Sequence, residues 1–449
     1  MGASGSSQNT TGKFQTLMIE PGIAFSYLPE AKWKTLSINV FCKLPVIEDR
    51  LTALALVPRL ARRGTAGLPT LQALSSFLED MYGAGMGADA RKVGPIQVIR
   101  FGIDIPSPEY LNAVESGMPN SSIISRALSF IWDVVTRPYL EGGAYPQNVF
   151  DIERNEHRRD IIGMINNRPS YAAVRLVEEI SRGDPRGLPA WGSLEDLDSV
   201  GPKTTWKIWQ EALSQCPISI YAVGQGADTI GDLLGNGRLD FPLGRSKEIW
   251  DIGKQLQPPP LPQDVLRVED CLPGAQTILC MAFHTGICEG DPKLPALLFC
   301  DGVLGGFPHS KLFSVVREKE GLAYFADTSP NTWRGLIMAI AGISDENKER
   351  VERLILQQVE TVRKGEISDQ EMESTRIGLI RRLRTESDSQ SSLIRRLLTH
   401  EILGGAPSEE DIVQGILKVT KQDVVDVASQ AELKAVYALR AKGDDTIGP

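Results

Sequence analysis

Histidine is scarce in this chain, and that scarcity excludes the commonest metal centres. The 449 residues hold only His157, His284, His309 and His400, and no two of them stand four apart on a helix, where two imidazoles would share one ion. The six cysteines, Cys42, Cys216, Cys271, Cys280, Cys288 and Cys300, contain no C-x-x-C pair. Their mostly apolar neighbours suit buried thiols in a reducing compartment better than a disulfide frame or a zinc knuckle. Positive charge is in deficit: 48 Lys and Arg against 57 Asp and Glu leave a formal net charge of −9. Phosphate binding needs clustered cations, so nucleic acid is not expected as a ligand. The local clusters Arg381-Arg-Leu-Arg384 and Arg395-Arg396 read as exposed helix faces, with a positively lined cavity for peptide carboxylates as the alternative. Residues 1–13 have neither a basic nor an apolar leader region and read as a flexible tail rather than a signal peptide; Met1-Gly2 alone adds little weight for a lipid anchor. No run approaches the ~20 apolar residues of a spanning helix. A cytoplasmic protein without membrane contact is expected.

What the chain does have is length, an ordinary globular composition (42 % apolar, 23 % charged) and an internal repeat. Each half opens with a strand, Leu36–Leu44 with Leu36, Ile38, Val40, Cys42 and Leu44 on one face, and Gln276–Thr285. An apolar helix follows each, at Leu51–Leu60 and Leu294–Leu304, then a glycine break and a second helix, at Leu71–Tyr82 and Lys311–Gly321. Strands come next at Ile96–Asp104 and Leu336–Ile343, and then paired helical stretches: Ile123–Val135 with Val351–Val362, Pro146–Ile165 with Ser368–Arg384, and Tyr171–Ile180 with Ser391–Leu403. Each half closes on a strand, Pro217–Val223 and Leu433–Leu439. Between the halves, Gln255–Gln263 carries four prolines and reads as a stiff, extended linker. The expected fold class is α+β, two homologous domains, each an antiparallel-rich sheet with helices on one face, arranged as a clam around a cavity. The expected bounds are 14–245 and 265–445, with 246–264 as the linker.

The most informative segment is Leu304-Gly-Gly-Phe-Pro-His-Ser-Lys-Leu-Phe-Ser-Val-Val-Arg-Glu-Lys-Glu-Gly-Leu-Ala-Tyr324. Gly305-Gly306, Ser310-Lys-Leu-Phe313 and Arg317-Glu-Lys-Glu-Gly-Leu-Ala-Tyr324 together resemble the insulinase/pitrilysin (M16) family of zinc peptidases, and the resemblance runs from about Phe14 to Lys442. It implies that Arg317 and Tyr324 lie in a C-terminal domain, face a zinc site and bind substrate beside the scissile bond. The family's zinc site is a helical H-x-x-E-H completed by a distant Glu. With Arg63-Gly64-Thr65 as anchor, those positions fall on Ala55, Pro58 and Arg59, which can neither ligate zinc nor act as a carboxylate base. The helix expected to carry the distal Glu offers Glu156 and Asp160, read as surface charges. No zinc is therefore expected in this chain.

The resemblance then implies a non-catalytic subunit of a heterodimeric zinc peptidase. Its partner would be a paralogous M16 chain that keeps H-x-x-E-H and holds the zinc; its substrate would be a peptide or small protein. The detail around Gly305-Gly306 resembles a subgroup associated with 5-aminopentanol modification of elongation factor P. Tyr324 would donate to the tetrahedral oxyanion and Arg317 would hold a neighbouring carbonyl, acting in trans, with Gly305 and Gly306 touching the peptide. The local alternative is that Arg317 pairs with Glu320 and Tyr324 merely packs. A structural or peptide-binding scaffold subunit without proteolytic role is the alternative for the whole chain. A self-sufficient enzyme with another metal would need ligands the sequence does not offer. His309 reads as a turn residue, His157 as solvated, His284 as a strand end and His400 as a helix end. Trp191-Gly192 reads as a fold-defining turn with an aromatic over it, Gly163–Pro169 as part of the region after the lost zinc helix, and Phe101–Ile105 as a strand whose edge could be open to an extended peptide.

Overall fold

In the computed structural model, residues 14–112, 120–235, 249–251, 260–386, 388–405 and 407–442 are described. The expected tail at 1–13 and most of the expected linker at 246–264 lie outside them. The described residues fall into two compact units, one within Met1–Arg158 and Ala190–Ile252, the other within Arg159–Pro189 and Gly253–Pro449.

The first unit is built on a six-stranded sheet of β1 (Gln15–Glu20), β2 (Ile23–Leu28), β3 (Thr35–Pro45), β4 (Gly85–Val93), β5 (Ile96–Pro106) and β6 (Ile218–Val223), ordered β1-β2-β6-β3-β5-β4. Only the β2–β6 pair is parallel. The period-2 alternation of β3 does what it promised: Leu36, Ile38, Val40, Cys42 and Leu44 all enter one core, with Ile99, Phe101, Ile103 and Ile105 of β5 beside them. Helix Asn120–Thr136 closes over this face, and the ring of Trp209 from helix Pro202–Gln215 packs on Phe101 and donates to the Val135 carbonyl at 2.9 Å.

The second unit repeats the plan with β7 (Leu266–Pro273), β8 (Thr277–His284), β9 (Ala323–Asn331), β10 (Leu336–Ile343) and β11 (Glu432–Lys442), ordered β7-β11-β8-β10-β9. Here β7–β11 is the parallel pair. Position for position this is β2-β6-β3-β5-β4 of the first sheet, so the duplication visible in the sequence is a duplication of topology. Helices Leu294–Asp301, Lys348–Arg363 and Lys421–Gln430 contribute to the core on one face, against Leu279, Met281 and Phe283.

The opposite face is also covered. Ile278, Cys280 and Ala282 of β8, with Tyr437 and Leu439 of β11, bury Ala172, Leu176 and Ile180 of helix Arg168–Ile180. That helix lies inside the 14–245 stretch expected to form the first domain, yet it packs in the second unit. The physical reason is local: Arg168 at its start donates to the carbonyls of Gln276 (3.0 Å), Pro273 (2.8 Å), Leu272 (3.4 Å), Leu439 (3.1 Å) and Arg440 (3.1 Å). At the other end, buried Arg334 donates to Ser181 Oγ (2.5 Å) and the Arg186 carbonyl (3.0 Å). One guanidinium can serve several carbonyls in a fixed fork, which anchors the helix at both ends.

The thiols are more varied than expected. Cys42, Cys216, Cys280 and Cys300 are buried, and burial pushes the Cys300 thiol up to about 12. Cys288 is half-buried, and Cys271 is exposed on the two-sided edge strand β7.

Candidate functional site

The Arg317–Tyr324 segment is held against β9, the terminal strand of the second sheet. After helix Leu294–Asp301 the backbone widens into a π-helical turn at Gly302–Gly306, and a second π-helical stretch runs from Phe313 to Lys319. The sequence suggested an ordinary helix over Lys311–Gly321; the widened turns re-aim its side chains, as such insertions do at many functional positions. Gly321, at φ +63°, then turns the chain into β9 at Ala323.

Gly305 is buried because its backbone lies on that strand: a Cβ there would stand 2.5 Å from the Thr328 nitrogen. Its first duty is thus close packing. Gly306, half-buried, accepts from Arg382 Nη2 at 2.9 Å, and a Cβ on it would stand 2.7 Å from Asp301 Oδ2. Asp301 is 2 % exposed, its Oδ1 has no hydrogen-bond partner, and burial pushes its pKa up to about 6; the Thr328 hydroxyl and the Arg382 charge pull it down in part, and Asp327 pushes it up. His309 stacks on Phe307 at 5.3 Å and its Nε2 meets Thr375 Oγ1 at 2.9 Å, an ordered turn residue.

Arg317 and Tyr324 differ from all of these. Both are exposed, Tyr324 at 62 %. The Arg317 guanidinium lies 4.6 Å from the Phe313 ring centre; burial holds the Asp327 carboxyl above its ordinary value, and the Arg317 charge opposes that only in part. Among the described residues neither the guanidinium nor the Tyr324 hydroxyl makes a hydrogen bond or an ion pair. Glu320, the local acid that could have taken Arg317, pairs instead with Arg350 at 2.6 Å.

In the first unit, Ala55, Pro58 and Arg59 lie in the last two turns of helix Glu48–Ala61, Ala55 and Pro58 buried and Arg59 partly so. The carboxylate that meets them is one the sequence did not single out. Glu153, 4 % exposed on helix Gln147–Gly163, accepts from Arg59 Nε at 3.1 Å and from Arg63 Nε at 2.5 Å. Glu156 is half-buried and Asp160 exposed on the same helix. Glu153 and His157 share a helix face at i, i+4, but so do Glu156 and Asp160, and the spacing does not say which pair faces Arg59. His157, expected in solvent, is buried, its Nε2 2.8 Å from the Trp191 carbonyl. The adjoining Gly192, at φ +79°, lies so close to the helix that a Cβ would stand 2.0 Å from Thr52 Oγ1. Gln97 Nε2 ties the same region together by donating to Leu51 (3.2 Å) and Ala190 (2.9 Å) carbonyls.

Phe101–Ile105 is not an edge: it lies in β5, paired on one side with β3 and on the other with β4. Its cover, Gly85–Val93, was missed because its core-facing side carries only Met86, Ala88 and Ala90, partly buried, while Gly85, Gly87, Asp89 and Arg91 fill the other side and weaken the strand signal. Among the described residues no group of three or more His, Cys, Asp or Glu could hold a metal ion, and no helix is long and apolar enough to cross a membrane.

Residues 227–379 match the family model described as the peptidase M16 inactive domain. Over 420 residues the chain is 27 % identical to "Probable inactive metalloprotease YmfF" of Bacillus subtilis (strain 168), a match covering 93 % of this chain and 96 % of the relative. A conserved protein from Enterococcus faecalis V583 has the same fold at a TM-score of 0.87 and 24 % identity, covering 96 % of this chain and 99 % of that one. The peptidase M16 inactive domain from Pseudomonas fluorescens superposes at 0.75 with 17 % identity, covering 96 % and 98 %. With its duplicated sheets and the Arg317–Tyr324 segment leading into β9, this chain has the fold of these M16 proteins, and its residues 227–379 match the inactive-domain model of that family.

Proposed function

We propose that this chain is the non-catalytic subunit of a heterodimeric M16 zinc peptidase, and that it lends Arg317 and Tyr324 to a zinc centre held by a paralogous partner carrying H-x-x-E-H. The observation that carries the reading is that both polar groups are exposed and unspent: among the described residues the guanidinium lies beside the Phe313 ring without a hydrogen bond or ion pair, and the phenol hydroxyl has no hydrogen-bond partner. Side chains that stabilise their own fold are usually satisfied; these two face outward from one strand and the π-helical turn before it. A phenol aimed at a developing oxyanion contributes on the order of 3–4 kcal/mol to a transition state in a water-poor site, and a guanidinium can hold an adjacent carbonyl with two hydrogen bonds. Gly306 is the member of the glycine pair open enough to meet a peptide.

Cytoplasmic location and a link to elongation factor P modification are parts of the proposal that rest on the sequence resemblance. The test is to recover the tagged chain from native cells, identify any M16 chain bound to it, and assay the reconstituted pair on peptides. Tyr324→Phe and Arg317→Ala are expected to lower kcat about 100-fold or more while leaving the pair intact. Unchanged turnover by the Tyr324→Phe pair would remove the catalytic role and favour the scaffold reading.

A further inference from the structure

The sequence resemblance puts the zinc motif on Ala55, Pro58 and Arg59, and the residues there do not fit the metal. Ala55, Pro58 and Arg59 offer no ligand, and the buried Glu153 carboxylate is already engaged on both oxygens, Oε2 by Arg59 and Oε1 by Arg63. We infer that the Arg59–Glu153–Arg63 ion triad has replaced a metal as the cross-link between helix Glu48–Ala61 and helix Gln147–Gly163, so that the first unit is held together by guanidinium groups and needs no divalent cation.

Three observations carry this. First, the charge is right: two guanidinium groups bring the formal 2+ of a divalent ion to the same carboxylate. Second, the connection is structural: Glu153 is buried on one helix, and both its partners come from the end of the other and the residues just after it. A buried carboxylate without such partners would be strongly unfavourable. Third, the surrounding frame is built as tightly as a working centre. His157, one turn beyond Glu153, bonds the Trp191 carbonyl, Gly192 leaves no room for a side chain against Thr52, and Thr52 Oγ1 bonds Asp196 Oδ2 at 3.2 Å and accepts from the Ser193 nitrogen at 3.1 Å. The net positive charge left on the triad also repels any free cation, so the position is closed to metal by charge as well as by the lack of ligands.

The experiment uses the purified full-length chain, its thermal unfolding and its metal content, and is independent of any partner. EDTA and added zinc chloride are both expected to leave Tm unchanged, and equilibrium dialysis to find far less than one zinc per chain. Glu153→Gln and Arg59→Gln are each expected to lower Tm by roughly 5–10 °C, because each strands a buried group, and the double variant by clearly less than the sum. Should Glu153→Gln not fold, Arg59→Gln, which leaves Arg63 on the carboxylate, carries the measurement. Stoichiometric zinc, a Tm lowered by EDTA, or a Tm unmoved by Arg59→Gln would each overturn the inference.

Discussion

Replacing Asp301 by asparagine removes one buried charge from beneath the Gly302–Gly306 turn while keeping the shape of the side chain. Burial raises this carboxyl from the ordinary aspartate value of 3.8 to about 6. An acid whose folded pKa lies above its unfolded one keeps its proton longer in the native state. The folded protein therefore binds more protons between about pH 4 and pH 6, and stability falls as pH rises through that window and is level on either side. A difference of about two pH units is worth about 3 kcal/mol, an order-of-magnitude figure. The amide of Asp301→Asn carries no charge at any of these pH values. Its own packing and hydrogen-bond cost is the same at pH 4 as at pH 7, so the comparison of slopes isolates the buried charge. Urea midpoints measured from pH 4 to pH 7.5 are expected to fall for the natural chain relative to the variant by about 2–3 kcal/mol in unfolding free energy, with the change complete by about pH 7. Parallel profiles for the two proteins would refute the reasoning, since they would mean that Asp301 ionises in the folded state as easily as in the unfolded one.

Two further outcomes follow from the packing. Arg168→Ala should destabilise the second unit by about 2–3 kcal/mol, less than five full charge-assisted bonds because water can reach part of the site, and hydrogen exchange in helix Arg168–Ile180 should rise before that in β8; unchanged protection in that helix would show that its apolar face alone holds it. Gly192→Ala should cost upwards of about 3 kcal/mol, since the added methyl meets Thr52 at 2.0 Å and the backbone is left-handed there. Gly192→Ala in a Thr52→Ala background should recover part of the loss, and calorimetry of the two variants decides it.

The sequence by itself determined the secondary elements with strong periods, their duplicated order, and the segment that carries Arg317 and Tyr324. Alternation in Leu36–Leu44 and the 3.6-residue stripe of Val351, Ile355 and Val362 are written within a dozen residues, and burial of one face follows from them directly. Edge strands with a weak or interrupted apolar face escaped that reading: β4 offers only Met86, Ala88 and Ala90 to the core, and β7 breaks its Leu266, Val268, Leu272 face with Asp270, whose carboxylate accepts from the Tyr437 hydroxyl at 2.7 Å. Only the tertiary structure decided which sheet receives helix Arg168–Ile180, because the carbonyls that Arg168 serves lie over a hundred residues away. It also decided which carboxylate meets Arg59. Glu153, Glu156 and Asp160 are equivalent as letters on one charged helix, and the rotation of that helix against its neighbour is set by His157, Trp191 and Gly192, whose contacts no local pattern encodes.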